Sequence, residues 1–211
     1  MKSDVEIVTG FIGSGKTSFI NLLVDLSLLS KENILIICCE NGNKSFDNNI
    51  NTHAQIVLKF YPPTKILTEE YIKNMVNIYN PHRIIIEFNG TQSLTELLNT
   101  FGKKSLKKQC KITTIYHIAD AKTFNIYFNN MLNMIIPSIQ FSNLILINNA
   151  NEVTSKELET IESKINIFNP YAYLAIIKQI ESMRSVIDKM NILDNGLQKR
   201  LRVFIKNLLD K

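Results

Sequence analysis

The residues with the clearest chemical meaning lie near the start of the chain, in residues 10–17, which read GFIGSGKT. This segment fits the pattern G-x-x-x-x-G-K-[S/T] at every fixed position. Glycines lack a Cβ and let the backbone turn its N–H groups inward, and the positive end of a following helix adds to the attraction for phosphate oxygens. A turn that merely opens a helix needs neither the lysine nor the hydroxyl. The segment therefore predicts a loop that binds the phosphates of a nucleotide.

Two side chains at the end of this loop carry its chemistry. Lys16 places a positive charge beside the β and γ phosphates, and Thr17 offers a hydroxyl to Mg²⁺, which prefers hard oxygen ligands. Lys16 is also expected to be catalytic, because it stabilises charge on the transferring phosphoryl group. The nucleotide-binding residues predicted in and beside the loop are Gly10, Gly13, Ser14, Gly15, Lys16, Thr17 and Ser18.

Acidic residues follow three of the runs that are predicted to be strands. Glu87 ends an Ile-rich run, and ligands of parallel sheets bind beyond the carboxyl ends of the strands. We therefore expect Glu87 near the phosphates, where it holds a Mg²⁺-bound water or orients the attacking water, with Gly90 letting its loop approach the γ-phosphate. Glu40 is a second candidate ligand of the metal, while Asp120 is expected to cap the following helix. For Glu87 and Glu40, a strand-end acid without such a role stays the alternative.

Another predicted strand ends in Asn148-Asn149-Ala150-Asn151, where many GTPases carry Asn-Lys-x-Asp. In that motif the Asp accepts two hydrogen bonds from guanine and the Lys stem packs on the base. With Asn151 in place of the Asp, an amide donor faces a guanine donor, a mismatch that costs ~1–3 kcal/mol. We therefore predict that Asn148, Asn149 and Asn151 bind a base with weak guanine selectivity. The alternative is an Asn-rich loop with no role.

Short β-branched runs alternate with helical stretches along the chain. Strands are predicted over residues 5–9, 34–39, 83–88, 112–118, 144–147 and 171–177. Helices are predicted over residues 17–29, 69–79, 94–101, 122–134, 155–165 and about 196–210. This alternation predicts a three-layer α/β P-loop domain with a mainly parallel sheet, formed as a single domain by residues 1–211. The polar segment 41–52 is the best candidate for a mobile loop.

The predicted tail helix has an apolar stripe and a basic face. The stripe consists of Leu197, Leu201, Phe204, Ile205 and Leu208, and the basic face of Lys199, Arg200, Arg202 and Lys206. We expect the stripe to dock on the sheet, although a helix of this kind can also lie on a membrane.

Composition limits the classes of protein that remain. The chain has 211 residues, of which 45% are hydrophobic and 20% charged, so it can bury a core. The net charge is +5, but acidic residues are spread along the same chain, so a nucleic-acid partner is not expected. Three cysteines are too few for a disulfide scaffold, no apolar run reaches membrane-spanning length, and the first residues are unlike a signal peptide. We expect a cytoplasmic protein without a membrane partner.

The remaining candidates for chemistry favour structural roles. Cys38 and Cys39 are neighbours on a predicted strand, so their side chains point to opposite faces and cannot both bind one metal unless the strand has ended. We expect them to be small core residues, with a surface thiolate ligand as the alternative. The three histidines show no ligand spacing, and His117 is expected to be a buried or edge histidine. The basic run 103–111 lacks interleaved aromatic residues, which favours a solvated face over a nucleic-acid site.

Taken together, these motifs resemble the CobW-type branch of the metal-trafficking P-loop GTPases, the group that includes HypB and UreG. The loop is close to that branch's Gly-Phe-Leu-Gly-Ser-Gly-Lys-Thr, and Glu40-Asn41-Gly42 lies where the family has Asn-Glu-Phe-Gly. Glu87 to Gly90 is similar to its Glu-x-x-Gly, Asp120-Ala121 to its Val-Asp-Ala, and Asn169-Pro170 to its Asn-Pro. The family's Cys-x-Cys-Cys motif is absent, and we expect its extra C-terminal domain to be absent as well, since the sequence stops at residue 211.

The resemblance implies a GTPase that helps to deliver a metal, or a metal cofactor such as cobalamin, to a client metalloenzyme. It also implies that two copies pair when nucleotide is bound. Two hypotheses follow: a slow, Mg²⁺-dependent nucleoside triphosphatase acting on GTP or a similar nucleotide, or a regulatory partner that binds nucleotide but hydrolyses it poorly. A small-molecule kinase is a third, for which no acceptor pocket or lid arginine is evident.

Overall fold

Seven strands form one parallel sheet in the computed structural model of the chain, which describes residues 1–40, 46–190 and 197–209. The strands are β1 (Ser3–Thr9), β2 (Ile34–Cys38), β3 (Ile56–Phe60), β4 (Arg83–Glu87), β5 (Cys110–Asp120), β6 (Leu144–Asn148) and β7 (Tyr173–Ile176). Their order across the sheet is β3-β2-β4-β1-β5-β6-β7, and every pairing is parallel. The carboxyl ends of all seven strands therefore lie along one edge.

The inner strands are apolar on both faces because helices cover both sides of the sheet. All five residues of β2, of β4 and of β6 are buried. Within β2, Ile34 and Ile36 pack into the core on one side, and Leu35 and Ile37 into the core on the other. This double burial is the reason that the strands read as continuous apolar runs rather than alternating ones.

Ten helices are found among the described residues. They are α1 (Lys16–Ser27), α2 (Asn48–Thr52), α3 (Glu69–Tyr79), α4 (Leu94–Gly102), α5 (Lys104–Gln109), α6 (Ala121–Asn130), α7 (Leu132–Gln140), α8 (Ser155–Phe168), α9 (Met183–Met190) and α10 (Leu197–Leu209). Helices α1, α2 and α9 contribute to the core on one face of the sheet, and α3 to α8 to the cores on the other face. The predicted three-layer α/β architecture is confirmed, while the extent of the domain, residues 1–211, stays a prediction.

Local capping explains where several helices begin. Thr154 accepts a hydrogen bond from the backbone N–H of Glu157, whose carboxylate accepts one from the Thr154 backbone N–H, so α8 begins with a capping box. The Asp120 carboxylate accepts from the Lys122 N–H at 2.8 Å, which confirms it as the cap of α6. Asp120 is also the last residue of β5, so it lies at the carboxyl edge of the sheet.

The structure contains elements that were not predicted, namely β3, α2, α5 and α9; it also divides one predicted helix and leaves part of one predicted segment outside its described residues. Strand β3 was not predicted, although its Ile56-Val57-Leu58 run was visible; as an edge strand it is only half-buried. The helix predicted over 122–134 is two helices, because Met131 has a non-helical backbone. Of the segment predicted to be mobile, residues 41–45 lie outside the described residues and 48–52 form α2.

The orientation predicted for the tail helix is wrong. Its apolar residues are 54% exposed at Leu201, 60% at Phe204, 39% at Ile205 and 56% at Leu208, and the Leu197 side chain lies outside the described residues. Lys199 and Lys206 are buried instead. They reach the amino-terminal edge of the sheet, where Lys199 pairs with Glu32 at 3.2 Å and Lys206 donates to the Pro81 carbonyl. The surface at that edge presents buried carboxylate and carbonyl oxygens, which require hydrogen-bond donors or cations. The basic face of the helix therefore packs there, and the apolar stripe does not.

Candidate nucleotide-binding site

The phosphate loop joins β1 to α1 at the carboxyl edge of the sheet. Gly10, Gly13 and Gly15 have φ values of 141°, 79° and 103°, a region that favours glycine. Space is also short, since a Cβ on Gly10 would lie 2.2 Å from the Ile118 carbonyl oxygen. A Cβ on Gly15 would lie 2.7 Å from the Asn148 amide nitrogen. Gly10 and Gly15 are therefore required by both conformation and packing, whereas Gly13 is required by conformation alone, since a Cβ there would have no neighbour within 4 Å.

Two serine hydroxyls in and beside this loop are buried without a partner. Among the described residues, neither Ser14 Oγ nor Ser18 Oγ has a hydrogen-bond partner. Buried polar atoms are nearly always satisfied, so orphaned hydroxyls indicate a ligand outside the protein. Phosphate oxygens accept hydrogen bonds from hydroxyls, and the loop fits them.

Lys16 is buried and already has anionic and polar partners. Its Nζ donates to the carbonyl oxygens of Gly10 at 2.8 Å and Phe11 at 2.9 Å. The same nitrogen lies 2.7 Å from Glu40 Oε2, and both side chains are nearly inaccessible to solvent. The predicted metal candidate Glu40 is therefore placed on the lysine in this structure, while Asn41 and Gly42 lie outside the described residues.

Thr17 and Glu87, the two strongest metal candidates, are brought into direct contact. Thr17 Oγ1 donates to Glu87 Oε1 at 2.6 Å, and both residues are buried. The other carboxylate oxygen, Oε2, accepts from the Cys38 thiol at 2.9 Å. A hydroxyl and a carboxylate next to the phosphate loop are the hard oxygen donors that suit Mg²⁺.

Burial sets the protonation of the neighbouring groups. Desolvation raises the pKa of Cys38 far above its usual range, with the Glu87 charge adding to the effect. Desolvation, followed by the charges of Glu87 and Glu40, raises the pKa of Cys39 to about 12. Burial lowers the pKa of His117 to about 3, and the nearby Lys16 charge contributes. At neutral pH the two cysteines are thiols and His117 is uncharged.

Gly90 links the loop after β4 to the phosphate loop. A Cβ at this position would lie 2.3 Å from the Gly10 carbonyl oxygen and 2.9 Å from the Phe11 nitrogen. The glycine therefore allows two backbones to pack directly on each other. Its predicted approach to the γ-phosphate stays a prediction.

The three asparagines of the base segment have different environments. Asn148 is buried, donating to the Ser14 carbonyl at 3.1 Å and so bracing the phosphate loop. Asn149 has a left-handed backbone with φ 56° and donates to Asp120 Oδ2 at 3.1 Å. The Asn151 side chain is exposed, and its backbone N–H donates to the Lys178 carbonyl at 3.4 Å. The segment thus lies beside the loop that follows β7.

Two features of the site were missed from sequence. The Cys38 contact with Glu87 arises because β2 and β4 are neighbours, with Cys38 opposite Glu87 in the register. The Asp120 contact with Asn149 arises because β5 and β6 are neighbours, with Asp120 opposite Asn148, the residue before Asn149. The strand-end positions of these residues were visible, but the order of the strands across the sheet was not.

A comparison of sequences assigns the family. The profile of the CobW/HypB/UreG nucleotide-binding domain matches residues 4–175. The chain belongs to this family. A curated relative, zinc-regulated GTPase metalloprotein activator 1 of Dictyostelium discoideum, is 22% identical over 243 residues. The match covers 93% of this chain and 49% of the relative, so the chain spans about half the length of that relative.

Solved structures agree on the fold of this CobW/HypB/UreG family member. The Zn(II)-bound YjiA GTPase of E. coli matches with a TM-score of 0.61 and 18% identity, over 82% of this chain and 57% of YjiA. The hydrogenase maturation factor HypB of Archaeoglobus fulgidus matches with a TM-score of 0.60 and 16% identity, over 90% of each chain. At these identities the likeness shows the α/β P-loop fold alone.

The described residues hold no group of three or more His, Cys, Asp or Glu side chains that could bind a metal ion. In the same ranges, no helix combines the length and the apolar composition needed to cross a lipid bilayer.

Proposed function

We propose that this chain is a slow, Mg²⁺-dependent nucleoside triphosphatase that binds GTP or a similar nucleotide. The observation that carries the proposal is the contact of Thr17 with Glu87 at 2.6 Å, next to a glycine loop that has orphaned serine hydroxyls in it and beside it. The loop N–H groups and Lys16 bind the phosphates, and Thr17 and Glu87 hold Mg²⁺, with Glu40 as a third candidate. Mg²⁺ supplies neutralisation of charge on the phosphates.

In this scheme the protein positions the reacting groups and stabilises the charge that develops during the reaction. Lys16 stabilises charge that develops on the transferring phosphoryl group, and Glu87 orients the attacking water. Phosphate must compete with Glu40 for Lys16, because the two side chains pair at 2.7 Å. This competition favours modest affinity and slow turnover.

We also infer a role in metal delivery. Family membership supports it, as does the name of the Dictyostelium relative, a zinc-regulated GTPase metalloprotein activator. On this proposal the chain couples nucleotide binding to delivery of a metal or metal cofactor to a client enzyme, and two copies pair when nucleotide is bound.

A second candidate is a regulatory partner that binds nucleotide and hydrolyses it poorly. The base segment favours it, because Asn151 replaces the carboxylate that selects guanine and Asn149 is held by Asp120. Single-turnover hydrolysis with Mg²⁺, set beside equilibrium binding, separates the two candidates. Binding without measurable turnover would support the regulatory partner.

The decisive experiment measures affinity for GTP, ATP and XTP, with and without Mg²⁺, for the wild type and Lys16→Ala. We expect tighter binding with Mg²⁺ and a guanine preference of about tenfold or less, given the Asn151 mismatch. Lys16→Ala loses roughly 10–100-fold in affinity, because a charge-assisted contact is removed. Lys107→Ala, on the exposed face of α5, is the matched control. Unchanged binding and turnover in Lys16→Ala would remove the mechanism, and exclusive GTP binding would contradict the relaxed selectivity.

A further inference from the structure

The Glu87 carboxylate is held at both of its oxygens by donors from two different elements. Thr17, in the first turn of α1, donates to Oε1 at 2.6 Å, and Cys38, at the end of β2, donates to Oε2 at 2.9 Å. A carboxylate oxygen only accepts hydrogen bonds, so one donor on each side fixes the orientation of the group. Glu87 is 2% exposed and Cys38 is 3% exposed, which leaves little room for water to replace either donor.

The backbone places these two side chains with little freedom. Cys38 and Glu87 are register partners in the parallel pair β2–β4, and the Cys39 N–H donates to the Glu87 carbonyl at 2.9 Å. The Cys38 sulfur also lies 3.1 Å from the Glu40 carbonyl oxygen, but a thiol has a single proton, and the Glu87 carboxylate at 2.9 Å is the closer and the charged acceptor. Groups supported by a sheet hold their geometry better than groups on loops.

We propose that Cys38 is a positioning residue for the Mg²⁺ site, holding Glu87 so that Oε1 stays directed at Thr17 and the metal. The inference rests on the proposed function and deepens it. A thiol suits the task because it is a neutral donor that introduces no competing cation. Without it, Oε2 is left buried without its donor and the carboxylate is free to rotate. Outer partners of metal-binding groups commonly control metal affinity in this way.

A purely packing role for Cys38 makes the opposite prediction. Cys38 lies in the apolar cluster that includes Val8, Ile36 and Phe46. If packing alone mattered, valine would be the better substitute, because it is apolar and fills the volume, and serine would be the worse one. If donation to Glu87 matters, serine keeps the donor and valine loses it.

The experiment measures nucleotide affinity as a function of free Mg²⁺, and again in EDTA, for Cys38→Ser, Cys38→Val and the control Cys39→Val. Cys39 is buried on the opposite face of β2. Cys38→Val should raise the half-saturating Mg²⁺ concentration roughly tenfold while affinity in EDTA stays within about twofold. Cys38→Ser and Cys39→Val should stay close to the wild type. If Cys38→Val does not fold, Cys38→Ala replaces it.

Three outcomes would overturn the inference. The first is a Mg²⁺ dependence in Cys38→Val, or its Ala replacement, equal to that of the wild type. The second is an equal loss in Cys38→Ser and Cys38→Val, or a loss that is as large in EDTA, since either result indicates packing. The third is a wild type whose affinity ignores Mg²⁺, which would overturn the proposed Mg²⁺ dependence as well; the first two leave that proposal standing.

Discussion

The site at the carboxyl edge of the sheet contains a buried cation, Lys16, and two buried carboxylates, Glu40 and Glu87. Lys16 is paired with Glu40 at 2.7 Å, and Glu87 is engaged by Thr17 and Cys38. The cation also acts on its surroundings, because its charge contributes to the low pKa of His117. The protonation of this histidine therefore reports on the same site.

Because the pKa of His117 is low in the folded state, we expect the free energy of unfolding to decrease in acid. Its folded-state pKa of about 3 lies below the ordinary value of 6.5, so the unfolded chain binds the proton more readily and stability rises with pH between these values. The contribution is complete above about pH 6.5 and is lost as pH falls toward 3. We expect a loss of about 2 kcal/mol in the free energy of unfolding from this residue between pH 7 and pH 5.

Urea unfolding of the wild type and His117→Gln at several pH values checks this expectation. The variant should show a shallower dependence on pH, by the same ~2 kcal/mol between pH 7 and pH 5. Identical slopes in the two proteins would show that His117 does not control acid stability.

At the scale of residues, local patterns were readable and contacts between strands were not. The phosphate loop is encoded by consecutive residues, so its glycines, lysine and threonine were identified directly. Glu87 was placed near the site because an apolar run ends at it. Its contact with Cys38 depends on which strand lies beside β4, and the sequence carries no local signal for that order.

At the scale of elements, the loops of the site are joined both by direct backbone packing and by side-chain hydrogen bonds. Gly90 brings the loop after β4 against Gly10, and Asn148 at the end of β6 braces Ser14. Away from the site, the Asn169 amide donates to the carbonyls of Ile139 and Ser142, tying the ends of α7 and α8 together. The family's Asn-Pro motif thus has a structural role in this chain.

Gly90→Ala should disturb the phosphate loop without touching any predicted ligand. The new Cβ would lie 2.3 Å from a backbone oxygen, so the two loops must separate. We expect roughly 1–3 kcal/mol of destabilisation and weaker nucleotide binding. Urea unfolding and nucleotide titration measure the two effects.

Gly102→Ala is the matched control for this substitution. Gly102 lies at the end of α4 with open space around it, and alanine there should be neutral or stabilising by up to ~1 kcal/mol. A Gly90→Ala protein as stable as the wild type, with unchanged nucleotide affinity, would show that the loops do not depend on this contact.

Element prediction worked where burial was complete on both faces. The runs of β2, β4 and β6 were recognised because all their residues are buried. It failed at β3, where an edge position exposes 68% of Phe60 and weakens the pattern. The prediction also chose the wrong face of α10. An apolar stripe docks on an apolar surface, whereas the surface at that edge of the sheet is charged.

At the scale of the whole molecule, a buried cluster of charges ties α10 to the edge of the sheet opposite the phosphate loop. Glu32 is 1% exposed and meets two cations, with Oε1 at 3.3 Å from Arg83 Nε and Oε2 at 3.2 Å from Lys199 Nζ. Arg83 begins β4 and also faces Glu6 of β1 at 3.6 Å. One carboxylate therefore supports contacts among three parts of the chain.

Glu32→Gln should be strongly destabilising. The substitution leaves two buried cations without their main counter-charge, and removing one partner of a buried pair costs roughly 3–5 kcal/mol. Nucleotide affinity should be unaffected in the folded protein, since the cluster lies at the other edge of the sheet. Urea unfolding checks the stability, and Glu159→Gln, on the exposed face of α8, should stay within about 0.5 kcal/mol of the wild type. A small effect in Glu32→Gln would mean that water compensates the cations.

The central place of β1 in the sheet has a consequence for synthesis on the ribosome. β1 is made first, yet its two neighbours begin at Arg83 and Cys110. The apolar strand β1 therefore stays unpaired until β4 and β5 have both been synthesised, and the phosphate loop that follows β1 cannot be positioned before then. Non-local pairing of this kind folds slowly and exposes the chain to aggregation. A ligand of the phosphate loop can therefore stabilise the fold only after the strands on both sides of β1 have been made.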